Sequence, residues 1–258
     1  MTEIYFLGTG GWIATRERDN TSLLIHHDKQ LVLVDCPGSV IQKIKKIDLE
    51  PERIVSIVIT HVHPDHIYGL PSLVHSLMLV ECTINLYGTE ESILFCRNLL
   101  DLFHLREEKI KCRINFVPLK SGGDFQLQPS LHCTCLEVPH HSSSLAFIFE
   151  FQESNKKLLF SGDTPIHSPI FEAARDIDYL IHECSAPKSY FDLHPILYDI
   201  HTNAYDLGRL SQNSRVKCLI PCHIFGDLEF SESDIEKELL ENYLGRLVLL
   251  KDLEKVII

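Results

Sequence analysis

Four potential metal ligands lie within six residues, in the segment HVHPDH at positions 61–66, and this segment restricts the fold more than any other part of the chain. It directly follows residues 54–60, an apolar, β-branched run typical of strands that are buried on both faces. His61 and His63 are two residues apart, so an extended segment points both imidazoles the same way. Asp65 and His66 then fall on the turn into a helix and can face a second ion. The alternative is a polar turn with chance histidines, which so dense a grouping disfavours.

Four ligands cannot complete two catalytic metal sites, so other segments must supply more. Three segments each follow an apolar strand pattern and end on a possible ligand, namely His140 or His141, Asp163, and His223. Imidazole and carboxylate ligands together suit Zn²⁺, with Mn²⁺ or iron as substitutes. A carboxylate such as that of Asp163 can bridge two cations at a spacing of roughly 3.5–4 Å. We therefore predict two divalent metal ions, Zn²⁺ before Mn²⁺.

Strand and helix patterns alternate along all 258 residues without a linker, a low-complexity run or a clear repeat. Strands are predicted over residues 4–7, 22–26, 30–34, 54–60, 83–87, 131–138, 145–151, 157–161, 179–182, 216–221 and 247–250. Helices are predicted over residues 39–47, 67–79, 90–105, 169–175, 202–212 and 232–243. Two β-rich halves with helices on the outside predict an α/β fold, a four-layer αββα sandwich, in a single domain over residues 1–258.

The composition and the chain pattern disfavour several classes of protein. A net charge of −12, from 24 basic and 36 acidic side chains, disfavours a broad nucleic-acid surface. No stretch approaches the roughly 20 apolar residues of a membrane helix. The N-terminus enters a strand pattern directly, which disfavours a signal peptide. Nine irregularly spaced cysteines, with no C-x-x-C pair, indicate reduced thiols and a cytoplasmic protein more than a disulfide framework.

The order of the ligand segments resembles that of the metallo-β-lactamase superfamily, which has HxHxDH, a later His, a Gly-Asp and a last His after a strand. The resemblance favours His140 over His141, because His140 followed by SLAF at positions 144–147 matches the family's third motif, with Ala146 in place of the usual glycine. It implies one metal on His61, His63 and His140, a second on Asp65, His66 and His223, and Asp163 as the bridge.

Within the superfamily the chain is most similar to the RNase Z-like branch. FLGTG at 6–10, RDNTS at 18–22, LVDC at 33–36 and GLP at 69–71 resemble its opening and its metal loop. HECS at 182–185 is similar to its His-Glu-Ala-Thr motif, and HTNA at 201–204 to its His-Ser/Thr-x-Ala motif. The resemblance implies that Asp65, Glu183 and His201 are catalytic, with His201 as the proton donor and Glu183 orienting it.

The chemistry of phosphodiester hydrolysis needs such a pair. When a metal-bridging hydroxide attacks phosphorus, the departing alkoxide must be protonated or held by a cation. A carboxylate beside an imidazole favours the cationic form of the ring. The alternative is an ordinary structural pair of Glu183 and His201 at a helix start. His167 and His194 lie in Pro-flanked loops that could rim the pocket.

The sequence thus predicts a phosphodiesterase for a small phosphodiester such as a cyclic nucleotide, and by resemblance a homodimer. The alternative is an RNase Z-type endonuclease that processes tRNA 3′ ends. That family's tRNA-binding arm lies between the third motif and the Gly-Asp motif, where this chain has only residues 152–156 between two predicted strands. Redox chemistry with iron at the same ligands and a metal-free binding module are further alternatives. The full ligand set and the Glu183–His201 pair favour hydrolysis over both.

Overall fold

The computed structural model describes residues 1–258, and its strands form two seven-stranded β-sheets. The first sheet contains, in spatial order, β14 (Lys255–Ile257), β1 (Glu3–Gly8), β2 (Ser22–His27), β3 (Gln30–Val34), β4 (Ile54–Val58), β5 (Thr83–Thr89) and β6 (Arg113–Leu119). The second contains β13 (Arg246–Leu247), β12 (Cys218–Cys222), β11 (Tyr179–Glu183), β10 (Lys156–Phe160), β9 (Leu145–Phe151), β8 (Leu131–Glu137) and β7 (Asp124–Gln128). Both sheets mix parallel and antiparallel pairs.

Helices accompany each sheet. Those of the first half are α1 (Val40–Lys46), α2 (Pro64–Ile67), α3 (Leu70–Ser76) and α4 (Glu90–Leu102), and those of the second half are α5 (Ser168–Ala173), α6 (Lys188–Leu193), α7 (Ala204–Asn213) and α8 (Glu232–Asn242). Two 3₁₀ turns, Pro51–Arg53 and Pro195–Asp199, complete the regular structure. None of the helices combines the length and the apolar character needed to cross a membrane.

Three hydrophobic cores hold the layers together. The central core lies between the sheets and contains side chains of both, among them Phe6, Phe147 and Phe160. A second core packs the helices of the first half onto the outer face of the first sheet, and a third packs α5, α7 and α8 onto the second sheet. The layers therefore follow the order αββα, which confirms the predicted metallo-β-lactamase fold.

Burial on both faces explains why so many strands are apolar throughout. Along β1, Ile4 and Phe6 point into the central core, while Tyr5 and Leu7 point into the outer core. Successive residues of a strand face opposite sides of the sheet, so a strand covered on both sides has no face left for polar side chains. This burial on both faces accounts for the unbroken apolar runs in the sequence.

Several elements differ from the prediction. The helix expected over residues 67–79 is interrupted between α2 and α3 at Gly69, whose N–H donates to the Cys36 carbonyl (2.9 Å). A Cβ at Gly69 would lie 1.8 Å from the Pro37 carbonyl oxygen, so this close approach requires glycine. The strand expected over residues 247–250 is the shorter β13, which ends at Leu247. The sequence does not predict β6, β7, β14 or α6.

The carboxyl ends of parallel strands position the polar residues of interest. β4 runs parallel to β3 and β5, and β10, β11 and β12 run parallel to one another. The segment 61–66 comes just after β4, Asp163 just after β10, and His223 directly after β12, while Glu183 is the last residue of β11. Ligand sites in layered α/β proteins lie at such strand ends.

Candidate metal centre

Three imidazoles form the first group of possible ligands. The nitrogens of His61, His63 and His140 all lie within 4.8 Å of one another. The His63 Nδ1 atom is 3.0 Å from His61 Nε2 and 3.2 Å from His140 Nε2. The structure therefore brings together the three residues predicted to share one metal. His141 is not part of this group, and its Nδ1 contacts the backbone N–H and the hydroxyl of Ser143.

Two carboxylates and two imidazoles form the second group, which consists of Asp65, His66, Asp163 and His223. The Asp163 Oδ2 atom is 3.3 Å from His66 Nε2 and 3.0 Å from His223 Nε2. The Asp65 Oδ2 atom is 3.5 Å from His66 Nε2 and 3.7 Å from His223 Nε2. These contacts bring together the residues predicted for the second metal.

The Asp163 carboxylate lies between the two groups. The same Oδ2 atom that contacts the second group is 3.9 Å from His61 Nε2 and 3.9 Å from His140 Nε2 in the first. Gly162, immediately before it, has a left-handed backbone (φ 58°), and a Cβ there would lie 2.9 Å from the Leu145 carbonyl oxygen. The turn that places Asp163 between the groups therefore needs glycine at position 162.

Hydrogen bonds on the far side of the rings fix their orientation. The Asp35 carboxylate, directly after β3, accepts from the Thr60 N–H and hydroxyl (both 2.7 Å) and contacts His66 Nδ1 at 2.7 Å. His140 Nδ1 donates to the Ile200 carbonyl oxygen (2.7 Å). Metal-binding histidines usually donate their second N–H to a carboxylate or carbonyl in this way, which fixes the tautomer and leaves the other nitrogen for the ion.

Unpaired buried atoms indicate what the centre can hold. The Nε2 atoms of His66 and His223 are buried and lie 3.3 and 3.0 Å from Asp163 Oδ2, yet neither forms a hydrogen bond of good geometry within the chain. Buried polar nitrogens are rarely left without a partner, because the lost hydration is costly. Both atoms face carboxylates, and imidazole with carboxylate oxygen is a donor set that Zn²⁺ accepts. The residues therefore fit a divalent metal.

The charges of the second group favour a bound cation. Burial disfavours the charged form of His223, but the Asp163 carboxylate outweighs burial and raises the pKa of His223 to about 10. Burial likewise opposes protonation of His66, yet Asp163 and Asp35 raise its pKa well above the usual range. In the first group, burial lowers the pKa of His61. The first group thus offers neutral imidazoles, and the second offers negative charge that protons or a metal can neutralise.

A buried carboxylate–imidazole pair lies beside the two groups. His201 Nδ1 is 3.1 Å from both oxygens of the fully buried Glu183. The same carboxylate accepts hydrogen bonds from the Ser185 hydroxyl (2.8 Å) and the Thr202 N–H (3.1 Å). Burial would raise the pKa of Glu183, but the nearby His201 ring keeps it below its usual value. Glu183 is thus held as a carboxylate, and it fixes one nitrogen of the His201 ring.

A cavity of about 700 Å³ opens over the centre and includes His63, Asp65, His140, Asp163, His201 and His223 in its lining. Its walls come from segments outside the ligand motifs and are largely apolar, with Trp12, Ile13, Tyr190, His194, Ile196, Leu197, Ile200, Phe225, Gly226 and Leu228. Trp12, the only tryptophan of the chain, is 64% exposed, so its ring is available to contact a ligand. The cavity can therefore accept a ligand that has an apolar or aromatic part as well as an anionic one.

The sequence predicts the polar residues at the base of this cavity, its polar floor, but it does not predict the apolar walls. His194 lines the cavity, as considered from the sequence, whereas His167 does not. Asp35 was not identified as the residue that orients His66, although a buried Asp directly after an apolar strand is a usable signal. No comparable signal marks Trp12, Tyr190 or Phe225, which are far apart along the chain.

Comparisons with known proteins agree with the fold. The chain is 27% identical over 168 residues to a ribonuclease Z of Thermococcus kodakarensis, an alignment of 62% of this chain that spans 50% of that relative's length. The metallo-β-lactamase fold protein YhfI of Bacillus subtilis superposes with a TM-score of 0.82 at 16% identity, over 99% of this chain and 98% of YhfI. The short form of human tRNase Z superposes with a TM-score of 0.78 at 20% identity, over 99% and 98% of the two chains.

The family model described as Anti-Pycsar protein Apyc1 matches residues 2–239, which is most of the chain. The matched range contains every residue of the two ligand groups and the Glu183–His201 pair. The chain therefore belongs to the Anti-Pycsar Apyc1 family, and it has the fold and the RNase Z-like motifs of the metallo-β-lactamase superfamily.

Proposed function

We propose that the protein is a dinuclear metal-dependent phosphodiesterase that hydrolyses a small phosphodiester, of which a 3′,5′-cyclic nucleotide is the best candidate. The position of Asp163 carries the proposal, since one carboxylate oxygen lies 3.0–3.9 Å from four imidazole nitrogens of two ligand groups. Such a shared oxygen is what two neighbouring cations need to lie close together. Zn²⁺ fits the donors best, and Mn²⁺ is the substitute.

The two ions, when bound, would neutralise the phosphate and activate the attacking water. His61, His63 and His140 would hold one ion, Asp65, His66 and His223 the other, with Asp163 shared between them. Asp65 also lines the cavity, where its second oxygen can orient the incoming water. This assignment extends the observed grouping of the donor atoms to their ligand roles.

His201 would supply the proton that the leaving alkoxide needs. Its Nδ1 is held by Glu183, and its ring lines the cavity, so Nε2 is the nitrogen that can meet the departing oxygen. The negative Glu183 carboxylate stabilises the cationic form of the ring during the reaction. Glu183 thus acts as a positioning residue, and His201 as the general acid.

Two observations favour a small substrate over tRNA. β9 and β10 are joined by residues 152–155 alone, so the hairpin where a tRNA-binding arm would emerge is short. The chain carries a net charge of −12, whereas a protein that holds a long polyanion needs many phosphate contacts from Lys and Arg. Two metal ions and His201 are enough to neutralise a single phosphodiester inside the cavity.

A turnover screen tests the proposal. The purified protein, loaded with Zn²⁺ or Mn²⁺, is incubated with 3′,5′-cyclic nucleotides, bis-p-nitrophenyl phosphate and a precursor tRNA, with the Asp163→Asn variant as the background control. We expect hydrolysis of the cyclic nucleotides and little cleavage of the tRNA. Efficient removal of the tRNA 3′ trailer at physiological salt, with cyclic nucleotides untouched, would establish the RNase Z activity instead. The homodimer and the cytoplasmic location stay predictions, and sedimentation of the purified protein tests the first.

A further inference from the structure

Two cysteines lie side by side at the edge of the first sheet, away from the metal centre. Cys82 and Cys112 immediately precede β5 and β6, whose parallel register pairs Thr83 with Arg113. The Arg113 N–H donates to the Cys82 carbonyl (2.8 Å), so the pairing of the two strands begins at these residues. Equivalent residues of neighbouring parallel strands point to the same face, about 4.8 Å apart, which lies within the Cα separation that a disulfide spans.

The sulfur atoms themselves are in contact. Cys82 Sγ is 2.8 Å from Cys112 Sγ, and no other two cysteine sulfurs of the chain hydrogen-bond to each other. By contrast, the sulfur of Cys135 contacts backbone carbonyls, at 3.2 Å from that of Lys120. Chance burial of thiols in the core therefore does not account for this pair, which the register of β5 and β6 holds together.

We propose that Cys82 and Cys112 are a redox modification site that forms an intramolecular disulfide. The oxidant is a low-molecular-weight disulfide such as oxidised glutathione. The bond closes a loop over residues 83–111, which contains β5 and α4, and fixes β6 at the edge of the sheet. A single pair of this kind differs from the disulfide framework that the irregular cysteine spacing disfavours.

The accessibility of the two thiols sets the order of the steps. Cys82 is partly exposed, whereas Cys112 is only 2% exposed, and burial raises the pKa of its thiol. The Cys82 thiolate attacks one sulfur of oxidised glutathione and releases one reduced glutathione. Cys112 then attacks the Cys82 sulfur of the mixed disulfide and releases the second. Two protein thiols are oxidised and one glutathione disulfide is reduced to two thiols, so electrons and protons balance.

The bond should change stability rather than catalysis. The cysteines lie at the amino ends of β5 and β6, and the metal ligands follow the carboxyl end of β4, which runs parallel to β5. The two sites are therefore at opposite ends of the parallel strands of the first sheet. A cross-link that closes a loop of this length restricts the unfolded chain and should raise the melting temperature by roughly 5–10 °C.

Oxidation followed by mass spectrometry tests the proposal. The metal-loaded protein is equilibrated with excess reduced or oxidised glutathione, alkylated under denaturing conditions and mapped by peptide. We expect oxidised glutathione to remove two alkylation sites, to yield a peptide in which Cys82 is linked to Cys112, and to raise the melting temperature. Cys82→Ser should lose both changes. Cys135→Ser is the matched control, because a hydroxyl can replace its sulfur as donor to Lys120, and it should retain both.

Three results would overturn the proposal. The first is a stable glutathione adduct on Cys82 without the internal bond, and the second is a disulfide between two chains. The third is full alkylation of both cysteines after prolonged oxidation. Because the readout is covalent and needs no turnover, it stands or falls separately from the proposed phosphodiesterase activity.

Discussion

Asp163→Asn should remove the negative charge shared by the two ligand groups while it leaves the fold unchanged. Asparagine has nearly the same shape and keeps one oxygen, so the turn at Gly162 can persist. The change removes the negative charge that both groups share, since Asp163 Oδ2 lies within 3.9 Å of His61, His140, His66 and His223. We therefore expect a loss of metal affinity rather than a loss of folded protein.

The size of the loss follows from Coulomb's law. A unit charge interacts with an opposite unit charge at 4 Å by about 4 kcal/mol when the effective dielectric constant is ~20. For a divalent ion we take this single-charge energy as the net loss of binding free energy, because a water molecule can replace part of the lost carboxylate coordination. About 4 kcal/mol corresponds to nearly a thousandfold in affinity. The second group, with the carboxylate of Asp65, should retain its ion longer than the all-imidazole first group.

Metal titration measures this loss directly. The metal content found by elemental analysis after dialysis should fall from about two ions per chain to one or fewer. Competition with a chromophoric chelator should give the change in metal affinity. Hydrolysis should be nearly abolished. Asp178→Asn is the matched control, because Asp178 contacts Lys156 (3.1 Å) and Lys217 (3.0 Å) through Oδ1 and accepts from the Lys157 N–H (3.0 Å) through Oδ2, and it lies before the amino end of β11. An Asp163→Asn protein that keeps two metals at unchanged affinity would refute the bridging role.

Three further predictions concern the acid, the protons and the cavity wall. His201→Ala should retain its metals and slow turnover by ~10²–10⁴-fold on alkoxide leaving groups, with a smaller loss on p-nitrophenolate esters; equal losses would exclude the general-acid role. In metal-free protein the raised pKa values of His223 (about 10) and His66 add stability to the folded state below pH 6.5, and this stability is lost towards pH 10. Since a metal must displace these protons, metal affinity should rise over the same range, and chelator competition at several pH values checks this. Trp12→Ala should raise KM for a cyclic nucleotide several-fold with little change in kcat, and steady-state kinetics with unchanged KM would remove Trp12 from substrate binding.

The polar floor of the site could be predicted because its signals are local. HVHPDH packs four donors into one segment, and the remaining ligands each follow a strand whose apolar run is easy to recognise. Double burial made those strands conspicuous, since neither face carries polar residues. Local sequence therefore identifies both the strand ends and the donors placed on them. The extent of the single domain and the ligand roles stay predictions.

The missed strands lie at or near the sheet edges, where local signals are weak. β6 contains Pro118 and residues that are largely half-buried or exposed, and it is the last strand of the first sheet. Proline is tolerated at such an edge because one side of the strand needs no partner. β6 pairs with β5 along its whole length, so tertiary pairing rather than intrinsic preference determines this strand.

The cavity wall could not be predicted because it is assembled from distant segments. Trp12 follows β1, Tyr190 lies on α6 and Phe225 follows β12, and each would read alone as an ordinary core or surface aromatic residue. Only the fold brings them over the same two groups of candidate ligands. The reaction type is thus encoded in local motifs, while substrate selectivity depends on tertiary structure.

The division of the candidate ligands between the two sheets would link the proposed chemistry to the fold itself. The segment 61–66 follows a strand of the first sheet, whereas His140, Asp163 and His223 follow strands of the second. Several hydrogen bonds join the sheets next to the centre, among them those from the Leu145 N–H to the Thr60 carbonyl (2.9 Å) and from the His223 N–H to the Thr21 hydroxyl (3.1 Å). An ion held by ligands of both sheets would favour their docked arrangement, because the separated sheets offer incomplete ligand sets. Metal binding would then stabilise the packing across the central core as well as the site, and the geometry needed for hydrolysis and the cohesion of the sandwich would depend on the same contacts.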